Sequence, residues 1–180
     1  QVAAGETVGL VGESGCGKST LARTILLLEK PQAGSVQIDG HDIATLDAAE
    51  RRAYRRAVQV VFQDPFASLN PRHTILDALT EAPLAHGLVG RGGRRALASR
   101  LLADVGLGDE ALDRYPHAFS GGQRQRICIA RALALQPRLL ICDEAVSALD
   151  LSVRAQILNL LAELRTARGL AYLFITHDLG

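Results

Sequence analysis

The sequence predicts an α/β fold, a mostly parallel sheet with a helical insertion between its strands. Three observations carry that prediction. Short apolar runs alternate with helix-period segments along the 180 residues, which is the pattern of a parallel sheet. The run Val8–Val11 leads through a glycine-rich loop, "GESGCGKST", directly into a helical stretch. Within "RLLICDEA" the run Leu139–Cys142 is apolar without alternation, as expected of a strand covered on both faces.

The elements follow in order. Val8 to Val11 reads as a strand and Ser19 to Leu28 as a helix. Ala33 to Gly40 is a short strand between turn signals, with Asp39-Gly40 as the turn. Leu46 to Arg56 is helical, and "AVQVVFQD" is a strand ending near Gln63. From Asp64 to about Gln136 short helical stretches are broken by Pro65, Pro71, Pro83, Gly87 and "GRGGRR". A buried strand in "RLLICDEA", an amphipathic helix in "SVRAQILNLLAELRTAR" and a last strand in "LAYLFITHD" complete the chain. The expected organisation is one domain, with 1–63 and 137–180 as an α/β core and 64–136 as a helical subdomain. There is no methionine, and "QVAAGETVGLVG" opens as a sheet already under way. The sequence therefore reads as a fragment truncated at both ends.

Composition narrows the function. A formal net charge of +1 gives no global field toward nucleic acid or an anionic membrane. The basic clusters Arg51–Arg56 and Arg91–Arg95 read as a solvated helix face and a charged connector. No apolar run reaches the length of a membrane span, and no signal peptide is visible. Cys16, Cys128 and Cys142 form neither a disulfide framework nor a metal-type pair. The cytoplasm fits all of this.

Gly12 to Thr20 satisfies G-x-x-x-x-G-K-[ST] with a strand before it and a helix after it. Backbone N–H groups of Gly12, Glu13, Ser14, Gly15, Cys16 and Gly17 would turn inward around a phosphate chain, and the helix reaching through Thr20 adds the positive end of its dipole. Lys18 would reach the β- and γ-phosphates, and the Ser19 hydroxyl would ligate Mg²⁺. A second pattern needs no motif. Four apolar strands end in the phosphate loop, in Gln63, in Asp143-Glu144 and in His177. Ligands of open α/β sheets bind outside the carboxyl ends of the strands. Singly these residues are ordinary; together they make a nucleotide hydrolysis site. Asp143 would hold Mg²⁺ through water, and Glu144 would orient or deprotonate the attacking water. His177 would donate to the γ-phosphate and to the carboxylate side of the transition state. Gln63 would touch both metal and water and lead into the helical segment.

"FSGGQRQRICIAR" (Phe119 to Arg131), taken with the phosphate loop and "LLICDE", resembles the signature of the ATP-binding cassette (ABC) ATPases. With Gln63, "SALD" (Ser147–Asp150) and His177, the resemblance covers essentially the whole chain. It implies a P-loop NTPase of RecA-like type with antiparallel strands toward its N terminus. It also implies that Ser120, Gly121, Gly122 and Gln123 contact the γ-phosphate bound to a second protomer, so that two cassettes enclose two ATPs. Contact with phosphate would then offset the helix cost of two glycines, about 1 kcal/mol each in a helix interior.

"VFQDPFASLNPRHTILDAL" and "CDEAVSALDLSVRAQILNLL" are similar to the ATPase subunits of bacterial oligopeptide and dipeptide importers, whose relatives also carry nickel. The implied partners are a second cassette, identical or related, permease subunits docking near Asp64–Ala85 and, indirectly, a periplasmic binding protein. Nucleic acid is not among them. The implied location is the cytoplasmic face of the inner membrane. One alternative is a soluble cassette ATPase acting in DNA repair, chromosome organisation or translation, though no coiled-coil heptads or cysteine pairs interrupt the sequence. Another, a small-molecule kinase with a phosphate loop, leaves "SGGQ" unexplained.

Overall fold

Four parallel strands form the frame, seen in a computed structural model that describes residues 1–13 and 15–177. In chain order the elements are β1 (Thr7–Val11), α1 (Lys18–Ile25), β2 (Gln37–Ile38), β3 (His41–Asp42), α2 (Ala48–Ala57), β4 (Val58–Phe62), α3 (Pro65–Ser68) and α4 (Ile75–Ala85). They continue with α5 (Arg94–Ala103), α6 (Gly121–Leu133), β5 (Leu139–Asp143), α7 (Leu151–Arg168) and β6 (Ala171–Thr176). The main sheet has the order β1-β6-β5-β4, with every neighbouring pair parallel. β1 and β4 therefore lie at opposite edges, and the two later strands fill the space between them.

Because side chains alternate across a strand, the sheet feeds two cores. On one face Val58, Ile141, Leu173 and Ile175 pack with Ala22 of α1, Tyr54 of α2 and Ile43. On the other, Val61, Leu140, Cys142 and Tyr172 meet Leu79, Leu102, Ile127, Leu133 and Leu161 from α4 to α7. Each fully buried aliphatic side chain contributes roughly 1.5–3 kcal/mol. Burial pushes the Cys128 thiol up to about 11, so it packs as a small hydrophobe.

The expected antiparallel strands are the hairpin β2–β3. Asp39 (φ 50°) and Gly40 (φ 81°) supply the two left-handed residues of its tight turn. α1 stops earlier than its sequence pattern, at Ile25. There the Tyr54 hydroxyl donates to the Ile25 carbonyl at 2.6 Å, and Leu27 (φ 57°) turns the chain away. Pro83 does not break α4, which runs on to Ala85; it sits in the last turn, where little helix remains to be disturbed. Asp178, at the end of the last predicted strand run, lies outside the described residues.

The arginine clusters are more than a solvated face and a connector. Arg52 donates to the Ala85 carbonyl at the end of α4. Arg56 Nε donates to the Leu135 carbonyl, just past α6, at 3.2 Å. Arg94 holds Asp77 at 2.5 Å and Thr80 at 2.9 Å, and Arg95 holds Asp113 through a paired contact of 2.9 and 2.7 Å. Guanidinium forks suit carbonyl and carboxylate acceptors at element ends.

Candidate functional site

Strand register sets the site. Val11 pairs with Thr176, Ile175 with Asp143, and Asp143 with Phe62. All four strands therefore end within one residue of the same level, β1 and β6 one residue beyond β5 and β4, and Gly12, His177, Glu144 and Gln63 follow at the same sheet edge. Neighbouring strands are about 4.8 Å apart, so the edge offers a row of polar groups roughly 14 Å long. The convergence expected from the strand ends is present.

At the β1 end the loop curls through Gly15 (φ 83°) and Gly17 (φ 99°), and Gly17 caps α1. That backbone region strains any side chain with a Cβ. Lys18 is buried, at 8 % exposure. Its ammonium donates to the carbonyls of Gly12 at 2.7 Å and Glu13 at 2.8 Å. An ammonium has three N–H bonds, so one remains for a phosphate oxygen. Cys16 is exposed, and its sulfur lies 2.8 Å from where a Cβ on Gly12 would stand. Ser19 and Thr20 begin the helix and are exposed. Ser14 lies outside the described residues.

Asp143 and Glu144 differ in environment. Burial pushes the Asp143 carboxyl up, and the neighbouring Glu144 charge adds to the push; a hydrogen bond from Ser19 and the charges of Arg23 and Lys18 oppose it. A half-buried carboxylate beside a hydroxyl fits a hard divalent cation. Among the described residues no group of three His, Cys, Asp or Glu could hold a metal. A Mg²⁺ on Ser19, Asp143 and Gln63 would therefore complete its shell from nucleotide phosphates and water, its usual habit.

Glu144 adopts a left-handed backbone, φ 49°, uncommon for a residue with a Cβ. Its N–H donates to the Ile175 carbonyl at 2.9 Å, and its carbonyl accepts from the Ser147 N–H at 3.0 Å and hydroxyl at 2.9 Å. His177 Nδ1 lies 3.1 Å from Glu144 Oε1. An ionised carboxylate can only accept, so Nδ1 carries the proton in this contact. Donation to a phosphate through Nε2 at the same moment then requires the imidazolium. Gln63 is exposed, one residue past β4.

Ser120 to Gln123 belong to a different part of the fold from the phosphate loop. They open α6, which packs on β4 and on α3, α4, α5 and α7; β4 is the sheet edge farthest from β1. Ser120 and Gln123 form a capping box: Gln123 N–H donates to Ser120 Oγ at 3.3 Å, and Ser120 N–H to Gln123 Oε1 at 3.0 Å. The Ser120 hydroxyl proton and the Gln123 amide N–H groups remain for a ligand. The two glycines separate. Among the described residues a Cβ on Gly121 would meet nothing within 4 Å beyond its own helix turn, whereas one on Gly122 would stand 2.7 Å from Val153 Cγ1 of α7. Close α6–α7 packing therefore requires a glycine at Gly122 whatever its backbone N–H contacts, whereas no such packing constrains Gly121.

Three neighbours lie outside what the sequence patterns pick out. Arg23 lies four residues past Ser19 on the same face of α1, and that spacing is a signal the sequence does carry. Arg124 donates to the carbonyls of Pro116 (2.7 Å) and His117 (3.3 Å) and stacks 3.9 Å over the Phe66 ring. Gln125 is wholly buried, and its Nε2 donates to the Ala145 carbonyl at 2.6 Å. Local patterns do not announce either of the last two.

The sheet, its strand order and the loop at β1 define a P-loop protein of the parallel α/β kind. The family described as ABC transporter matches residues 1–147, and the chain belongs to that family. It is 56% identical over 179 residues to the "Probable peptide ABC transporter ATP-binding protein y4tS" of Sinorhizobium fredii, covering 99% of this chain and 51% of that protein. It is 55% identical over 176 residues to the "Glutathione import ATP-binding protein GsiA" of Escherichia coli, covering 98% of this chain and 28% of that one. The chain thus spans about half or less of these relatives. Among solved structures it resembles the ATP-binding cassette MJ0796, dimeric and bound to ADP and Pi after hydrolysis. That match has TM-score 0.84 and 34% identity, and covers 99% of this chain and 78% of the other. It also resembles cbiO1 from Clostridium perfringens, part of the transporter complex cbiONQ, with TM-score 0.85 and 28% identity, covering 99% and 69%.

Proposed function

We propose that this chain binds and hydrolyses ATP to power an importer of peptides, or of a related small solute such as nickel, across the bacterial inner membrane. It would act at the cytoplasmic face as one of two cassettes. The observation that carries the reading is the common sheet edge at which β1, β6, β5 and β4 deliver Gly12, His177, Glu144 and Gln63, within one residue of one another in register. Lys18 and the loop N–H groups would hold the phosphates. Mg²⁺, when bound by Ser19, Asp143 and Gln63, would neutralise phosphate charge. Glu144 would accept a proton from water, and His177 would steady it. The names of the two relatives, one a peptide transporter and one importing glutathione, itself a small peptide, favour peptides over nickel. Among the described residues no helix is long and apolar enough to cross a membrane. In this reading the path for cargo belongs to permease subunits.

The trans arrangement is supported by where α6 packs. Ser120–Gln123 belong to a helix packed on the edge strand opposite β1, so they are ill placed for a phosphate held by their own chain. In this reading residues 64–136 form a helical subdomain that meets the permease near Asp64–Ala85. Phe66, 61 % exposed and three residues past Gln63, supplies an apolar contact there.

Lys18→Ala tests the central claim. Losing a charge-assisted hydrogen bond should weaken ATP affinity by about ten- to a hundredfold, read by nucleotide titration of the full-length protein. Affinity equal to wild type would refute the phosphate-loop assignment. Gln63→Ala should behave differently: it removes one metal and water contact, so basal ATPase should fall, but a residual activity should remain because Ser19, Asp143 and the phosphates would still hold Mg²⁺. Its ATPase should no longer rise when reconstituted permease is added. Stimulation as large as wild type would remove Gln63 from the coupling role.

A further inference from the structure

We propose that Gln125 is a positioning residue for Glu144, tying the turn that carries the carboxylate to the helix that begins with Ser120–Gln123. The proposal rests on the reading of Glu144 as the base. Three observations converge on it. Gln125 is fully buried within α6, and its Nε2–H donates to the Ala145 carbonyl at 2.6 Å. Ala145 directly follows Glu144 and is itself buried, at 4 % exposure, so no bulk water can replace that donor. The left-handed backbone of Glu144 (φ 49°) must be held by its surroundings.

The two carbonyls after the Glu144 side chain are held by different elements. Ser147 takes that of Glu144, within the turn, at 3.0 and 2.9 Å. Gln125 takes that of Ala145, from outside the turn. The amide oxygen of Gln125 is buried and has no hydrogen-bond partner among the described residues. Its hydrogen bonding therefore fixes the amide at one end only, and its aim follows the α6 backbone and the packing around it. A phosphate settling on the first turn of α6 would bear on that backbone, and the shift would reach Ala145 and Glu144 through one rigid helical segment. Each chain would then set its own carboxylate according to what occupies its own signature.

The test uses the full-length protein in its assembled transporter and the variant Gln125→Met, which keeps volume and loses the donor. Its kcat should fall by about ten- to a hundredfold, the scale of a base misplaced by about 1 Å. ATP affinity and KM should stay at wild-type values. In the Gln125→Met background, Glu144→Gln should cost less than it does in wild type, because both changes act on one step. Gln125→Asn, whose amide is one methylene too short, should reproduce the kcat loss and serves as readout if the Met variant does not fold. Unchanged kcat in the folded variant overturns the proposal. So does a joint loss of kcat, affinity and melting temperature, which assigns Gln125 to packing alone. A Glu144→Gln protein that still turns over would instead refute the base assignment, a separate result.

Discussion

Replacing Glu144 by Gln is expected to leave ATP bound and nearly stop its hydrolysis. The substitution preserves shape and removes the proton acceptor, and a positioned general base is worth about 10²–10⁴ in rate. Binding rests elsewhere, on the Lys18 ammonium inside its loop and on Asp143 beside Ser19. Burial raises the Asp143 carboxyl first, and the Glu144 charge adds to it. Removing that charge makes Asp143 easier to ionise and lessens repulsion of an anionic nucleotide, so affinity should equal or exceed wild type. The contact of His177 with position 144, now 3.1 Å, would face a neutral amide and lose its charge-assisted strength. The measurement pairs nucleotide titration with single-turnover phosphate release. Release near the wild-type rate would take Glu144 out of the base role.

Much of this site is legible in the sequence because its parts are local. The phosphate loop, the strand ends and the start of α6 each combine a short pattern with an abrupt change of period. The parts that are not legible depend on partners far along the chain. Gln125 reads as one more polar residue in "GGQRQR", and only the fold brings Ala145 to it, 20 residues later. Gly122 looks identical to Gly121 until Val153 of α7 is seen against it. Arg52 belongs to a run that periodicity assigns to solvent, yet it reaches the carbonyl of Ala85, 33 residues away. The end of α1 has the same kind of cause. Tyr54 closes that helix at Ile25 from 29 residues off, while the apolar pattern of "ILLL" would carry it further.

The two glycines of the signature offer the sharpest separation of folding from function. Gly121→Asp should leave the chain as stable as wild type or slightly more so. Among the described residues nothing outside its own helix turn stands within 4 Å of the new Cβ, a helix-first-turn carboxylate gains about 0.3–1 kcal/mol from the dipole, and a glycine is removed from a helix. Gly122→Ala should lower the melting temperature, because its Cβ would stand 2.7 Å from Val153 Cγ1 and a β-branched side chain has little rotamer freedom with which to yield. Val153→Ala in the same chain should restore it. Gly121→Asp should nonetheless abolish ATPase, since its carboxylate repels the phosphate that must approach α6. If that phosphate belongs to a partner chain, the lesion lies in the partner's site. Protomers carrying Gly121→Asp, mixed with protomers carrying Lys18→Ala, should then form one doubly damaged site and one intact site per mixed dimer. ATPase should partly recover, although each variant alone is inactive. Where the natural partner is a related cassette, the two changes go on opposite subunits, and placing both on one subunit gives the control in which each site keeps a lesion. Recovery in the exchanged mixture is the expected outcome. Its absence, with dimer exchange demonstrated and single-site turnover shown to be possible in this transporter, would refute the trans arrangement.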